Sequence, residues 1–160
     1  MDFRPLLLVL LAACSAPAPP SAQADAVDSA AAPDTGLAFR AQVPAQARAG
    51  EPVPIKLRLT NTGAAPREVY LTGRTVTFDV VVERAGGEVV WRRLEGETVQ
   101  SILQVRTLAP GESLEFDASW DQRTNAGEPV PPGDYVVRGI LPTDDARLRT
   151  PDAPLRIVPG

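Results

Sequence analysis

The stretch TVTFDVVVERAGGEVVWRRL, residues 75–94, decides the fold. Its first half alternates. Val76, Phe78, Val80 and Val82 fall on one side, and Thr77, Asp79 and Glu83 on the other. A period of two marks a strand with one face buried and one wet. Gly86-Gly87 comes next, and a second apolar run, EVVWRRL, occupies residues 88–94. Two such runs joined by paired glycines, which reach the positive φ of a tight turn, predict a β-hairpin.

The same period spreads outward in both directions. Residues 53–61, VPIKLRLTN, put Val53, Ile55, Leu57 and Leu59 on one face against Lys56, Arg58 and Thr60. Residues 68–72, EVYLT, form a short strand that buries either Val69 and Leu71 or Tyr70. Residues 102–108, ILQVRTL, make another, closed by Pro110-Gly111. In SLEFDASW, residues 113–120, Leu114, Phe116, Ala118 and Trp120 face in, while Glu115, Asp117 and Ser119 face out. Residues 135–141 and 155–158 supply the last strands. No run keeps apolar residues at helical spacing for three turns without Pro or Gly. Short strands separated by turn signals predict an all-β, Ig-like antiparallel β-sandwich of about 7–9 strands over residues 37–160. Its aromatics, Trp91 and Trp120 among them, sit in alternating runs and are expected to pack. Pro132-Gly133-Asp134-Tyr135 has the form of a tyrosine corner, in which the hydroxyl bonds to main chain upstream. The cysteine usual two positions on is replaced by Val137.

Composition removes whole classes of chemistry. The 160 residues include no histidine, one cysteine, 17 prolines and a formal net charge of −4. Without histidine there is no Ser-His-Asp or Cys-His machinery and no His-ligated metal. One cysteine makes no internal disulfide. The mild acidity offers no electrostatic footprint for nucleic acid.

The N-terminus speaks to compartment. Residues 6–13, LLLVLLAA, are too few to span a bilayer, which takes about 20. They fit the apolar region of a secretory signal over residues 1–13, with Arg4 as its basic start. Leu11-Ala12-Ala13-Cys14 resembles a bacterial lipobox, and the chain's one cysteine stands at the position that is lipidated. Cys14 is therefore the expected lipid attachment point. Residues 15–36 hold eight Ala, four Pro, three Ser and three Asp. Such a composition cannot bury enough apolar surface to offset its ordering entropy, so residues 14–36 read as a lipidated, disordered tether. The expected location is the cell envelope, on the periplasmic or outer-membrane side.

Other constellations are weaker. Asp121, Asn125 and Glu128 suggest a calcium loop, but Arg123 occupies a ligand position. Glu95 and Glu97, and the adjacent Asp144 and Asp145, are carboxylates with nothing to shield them. Ser101, Ser113 and Ser119 have no base within reach, and Lys56 faces outward in mid-strand. We therefore expect no catalytic residue, no metal and no cofactor. Two loops invite a partner instead. Residues 121–133, DQRTNAGEPVPPG, carry three prolines, which lower the entropy cost of binding or merely stiffen a turn. Residues 95–101, EGETVQS, include Gln100, either a structural bridge or part of a binding edge.

The order of motifs is also informative. Leu59-Thr60-Asn61-Thr62-Gly63 precedes Phe78-Asp79-Val80-Val81-Val82, then Gly87, Val90-Trp91 and Gln100. Leu108-Ala109-Pro110-Gly111-Glu112, Trp120-Asp121 and Gly133-Asp134-Tyr135 close the series. This order resembles the BsuPI domain, named for an intracellular proteinase inhibitor, over roughly residues 53–142. Val99 stands where the family often has an aromatic before its glutamine. The resemblance implies an Ig-like sandwich and, for the founding member, inhibition of a cytoplasmic serine protease. The expected function is thus a membrane-anchored extracytoplasmic binding domain, a proteinase inhibitor by resemblance. The alternative is a non-inhibitory envelope interaction or structural module. The expected partners are a protease or another envelope protein, with the membrane reached through the lipid; no nucleic acid or small-molecule substrate is implied. Glycan binding would require Trp91 or Trp120 exposed beside a groove.

Overall fold

A computed structural model describes residues 36–99, 102–143 and 147–160. The alternation of residues 53–61 becomes β3 (Val53–Asn61), with Val53, Ile55, Leu57 and Leu59 buried. It is the middle strand of a three-stranded sheet, flanked by β1 (Leu37–Gln42) and β8 (Ser113–Trp120). Register places Leu57 against Phe116 and Val53 against Trp120, so the apolar rows of β3 and β8 share one face.

The hairpin of residues 75–94 exists as β5 (Asp79–Arg84) and β6 (Val89–Arg92), turning through Gly86 and Gly87 at φ +118° and +90°. β5 also pairs with β9 (Gly133–Pro142). Beyond β9 lie β10 (Arg147–Arg149) and β11 (Ala153–Val158), and β11 pairs in parallel with β2 (Gln46–Arg48). β10 and β11 follow one another along β9, interrupted where Thr150 exchanges bonds with Gly139. Two of the eleven strands among the described residues, β2 and β10, are only three residues long.

The six- and three-stranded sheets enclose a single apolar cluster. Trp120 meets Tyr135 edge-on at 5.8 Å, and Phe78 meets Phe116 at 5.3 Å. The expected corner forms: the Tyr135 hydroxyl donates to Pro131 O at 2.6 Å. Val137, in the cysteine's place, is buried, so apolar packing does the work a disulfide would. The architecture is an all-β, Ig-like sandwich with a third, separate sheet of two strands, β4 (Arg67–Thr72) and β7 (Leu103–Leu108). On β4 the choice left open by the sequence falls to Val69 and Leu71, which are buried, while Tyr70 is half-buried.

Two expectations for residues 75–84 need correcting. The strand begins at Asp79, because Gly73–Val76 turns the chain first. Gly73 has φ +99°, and a Cβ there would sit 2.3 Å from Thr77 Oγ1, so this turn requires glycine. Asp79, expected to face water, is 2% exposed. Its carboxylate accepts from Val80 N–H (2.9 Å), Leu94 N–H (3.1 Å) and Arg92 Nε (2.6 Å), which compensates its burial. Val81, also on the outer face, is covered by its cross-strand neighbours Arg92 and Arg138 and is buried as well.

Candidate functional site

Most buried polar side chains are committed to main chain. Asn61 Nδ2 donates to Ala65 O and Leu108 O, and its Oδ1 accepts from Gly63 N–H. This fixes the end of β3 to the end of β7. Asp79 ties β5 to residues 92–94 and holds the Arg92 guanidinium above its ordinary value through their hydrogen bond. Arg138 is likewise raised, first by its hydrogen bond to Asp152 and then by the charges of Asp152 and Glu83. These groups brace strands. Asp79 and Arg92 also border a cavity of about 380 Å³ together with Glu95 and Glu97, and there the Asp79 carboxylate already holds three donors.

Among the described residues, no group of three or more His, Cys, Asp or Glu side chains could hold a metal ion. Within residues 121–128, Arg123 Nη1 instead donates to Gly127 O at 2.7 Å. Glu95 and Glu97 are exposed, and Ser113 is spent on a hydrogen bond with Thr60. Cys14, Gln100, Ser101, Asp144 and Asp145 lie outside the described residues. Trp120 is buried, with its indole donating to Arg123 O, and Trp91 is half-buried against it at 6.3 Å.

The loop of residues 121–133 is stitched down. Asn125 accepts from Arg92 N–H and donates to Arg92 O, bonding it to β6 at both polar atoms. Thr124 and Glu128 close a tight reversal, with Gly127 N–H donating to Thr124 O. Val130 is buried. The segment is therefore rigid, but it is folded back on itself rather than extended, and a proteinase cleft reads extended chain.

A different surface presents extended chain. Among the described residues β7 pairs with β4 alone, and its far edge is open. Among the described residues, Ile102, Leu103 and Val105 supply three of the five exposed large hydrophobic side chains, with Leu103 and Val105 at 50% and 51% exposure. Cross-strand register brings Tyr70 beside Val105, so one face of this small sheet carries Tyr70, Leu103 and Val105 together. An exposed apolar row with an aromatic is the composition of an interface centre. The sequence marked ILQVRTL as a strand. It gave no sign that the outer row would stay uncovered, since that depends on which strand β7 joins.

Between β7 and β8 runs a groove of about 800 Å³. Phe78, Leu114 and Phe116 form its base, Gln104–Leu108 one wall and Glu112–Asp117 the other. The strands are joined by the tight turn at 109–112, yet they do not pair with each other. β7 has left β8 for β4.

These features lie within residues 42–146, the span matched by the model of the BsuPI family, described as intracellular proteinase inhibitor. The chain belongs to this family. The BsuPI match takes in β2 through β9, including both walls of the groove and the apolar row on β7. No curated protein matches the sequence. Similar solved structures include the alkylpurine DNA glycosylase AlkC of Pseudomonas fluorescens bound to DNA with an abasic site analogue, at 16% identity and TM-score 0.42. A β-glucosidase of Erythrobacter marinus matches at 14% and 0.42, and the CARDB domain of a Pyrococcus furiosus protein in complex with di-metal ions at 12% and 0.40. Each match covers 76% of this chain, but 30%, 15% and 87% of the respective structure. The chain thus spans under a third of the first two proteins.

Proposed function

We propose that this BsuPI domain is a non-catalytic, extracytoplasmic binding domain that inhibits a proteinase. The family match over residues 42–146 carries the reading. The commitment of Asn61, Asp79 and Gln122 to main-chain hydrogen bonds supports it, because it leaves them no part in chemistry. Anchoring through Cys14 is part of the proposal and rests on the lipobox-like Leu11-Ala12-Ala13-Cys14. A single acyl chain holds a protein only marginally, at about 0.8 kcal/mol per buried methylene, so a multiply acylated cysteine is required for stable attachment.

Titrating the full chain, in detergent micelles, against a panel of serine proteinases tests inhibition. The expected result is loss of activity at near-stoichiometric ratios for at least one of them. Activity undiminished across the panel would favour the second reading, a non-inhibitory envelope interaction module, which the open edge of β7 independently supports. For the anchor, Cys14→Ala should abolish fatty-acid labelling and release the protein from membranes. Retention of the variant in the membrane fraction would remove the lipid from the account.

A further inference from the structure

Ladder parity fixes where the main chain of each groove wall points. Gly73 N–H donates to Ile102 O at 2.7 Å, extending the β4–β7 register by one pair. Antiparallel ladders alternate pairs that exchange both main-chain bonds with pairs that exchange none. Counting from Gly73 and Ile102, Gln104, Arg106 and Leu108 bond to β4. Leu103, Val105 and Thr107 turn their N–H and C=O groups away from it, toward the open edge.

The other wall yields to the same reasoning. Asn61 N–H donates to Glu112 O and Gly111 N–H to Asn61 O, with Gly111 at φ +80°. This is a bulge whose first residue is a left-handed glycine. Past it, Leu114, Phe116 and Ala118 bond to β3, and Ser113, Glu115 and Asp117 present their main-chain groups outward. Both walls thus offer strand-pairing donors and acceptors over an aromatic base.

The charges are unequal in what they leave unmet. Glu115 pairs with Lys56 and Arg58, Asp117 with Lys56, and Glu112 accepts from Ala109 N–H. Arg74 and Arg106, which also line the groove, make no ion pair among the described residues.

We propose that the groove between β7 and β8 binds an extended peptide segment of a protein partner as an added strand. On the face of β7 that carries Leu103 and Val105 the segment places apolar side chains, and on the face that carries Arg106 it places acidic ones, which meet Arg106 and Arg74. Main-chain pairing supplies affinity, and the alternation of apolar and acidic positions supplies selectivity. The inference deepens the proposed function and rests on its reading of the domain as a protein-binding module.

The test uses the full chain in detergent and two end-capped, fluorescent peptides, Thr-Val-Glu-Val-Glu-Val-Thr and its counterpart with Lys in place of Glu. The Glu peptide is expected to bind about tenfold or more tightly than the Lys peptide. Its binding should slow hydrogen exchange at the outward amides of Leu103, Val105 and Thr107 or of Ser113, Glu115 and Asp117. Gln104 and Arg106, already bonded to β4, should change little. Arg74→Glu with Arg106→Glu should reverse the preference. Thr107→Pro deletes an outward donor without removing a ladder bond, and should weaken the Glu peptide by about tenfold. Should that variant misfold, the charge-reversal pair carries the test alone. Equal binding of the two peptides, protection at other strands, or indifference to the charge reversal would overturn the proposal. No proteinase enters this measurement, so its failure and a failure of inhibition are read separately.

Discussion

Gln122 is the residue whose role was hardest to anticipate. It sits in a loop rich in proline and polar side chains, yet it is 2% exposed and holds a left-handed φ of 60°. Its Nε2 donates to Arg48 O at 2.7 Å and Glu51 O at 2.6 Å, and its Oε1 accepts from Gly50 N–H at 2.9 Å. One amide therefore satisfies three main-chain groups of the turn after β2, more than seventy residues away in sequence. The strained backbone persists because the surroundings over-determine it. Gln122→Ala should lower unfolding free energy in urea by about 2–3 kcal/mol, since it strands partly buried donors and acceptors. Gln122→Gly should be milder by about 1 kcal/mol, because glycine adopts positive φ without penalty. Equal losses in the two variants would mean that the backbone strain is not real.

At the scale of elements, β3 and β8 carry a charge ladder on their wet face. Lys56 and Arg58 bridge to Glu115, and Lys56 also reaches Asp117. Hydrogen bonds from Lys56 and then Arg58 hold the Glu115 carboxyl below its ordinary value of 4.5. A depressed carboxylate contributes stability above its unfolded value and loses it as pH falls through the lower, folded one. The native chain should therefore lose stability below about pH 4.5, and Glu115→Gln should flatten that acid limb in urea titrations across pH 3–6. The pair lies at the surface, so the difference should shrink in 1 M salt, where the screening length is about 3 Å. A variant with the same acid limb as the native chain would assign the loss to other carboxylates. The outward placing of Lys56, Arg58, Glu115 and Asp117 was legible in the sequence, as β3 itself was, from period-two patterning; that the two charged rows would meet was not, because it depends on β3 pairing with β8. Asp79 was misplaced for the same reason: its burial depends on Leu94 and Arg92, which reach it only once β6 has folded back. The open edge of β7 was hidden in the same way. A strand's residues record that it pairs, and not with which partner.

Across the whole molecule, three sheets of unequal size share one core, and that inequality sets how stability is distributed. The six- and three-stranded sheets face each other closely enough that a Cβ at Gly139 would lie 2.6 Å from Leu57 Cδ2. Strands such as β3 and β9 are flanked on both sides and open only when the sandwich does. The β4–β7 pair has no such cover. A lone two-stranded sheet is marginal in water, and this one is held by Val69, Leu71 and Leu108 beneath it, by the Asn61 bond to Leu108 O, and by a single bridge from Leu71 to Thr143. Local opening free energies follow buried contacts and flanking strands. Native-state hydrogen exchange should accordingly show the β4-bonded amides of Gln104 and Arg106 at least about tenfold less protected than those of Leu57 and Val137. Equal protection would mean that β4 and β7 unfold only with the sandwich, and that the groove has a fixed wall. With the gradient present, β7 can shift to fit an incoming strand, at the cost of ordering it. A partner bound there would then add protection at the outward amides of Leu103, Val105 and Thr107, while the β4-bonded amides of Gln104 and Arg106 keep their place in that gradient.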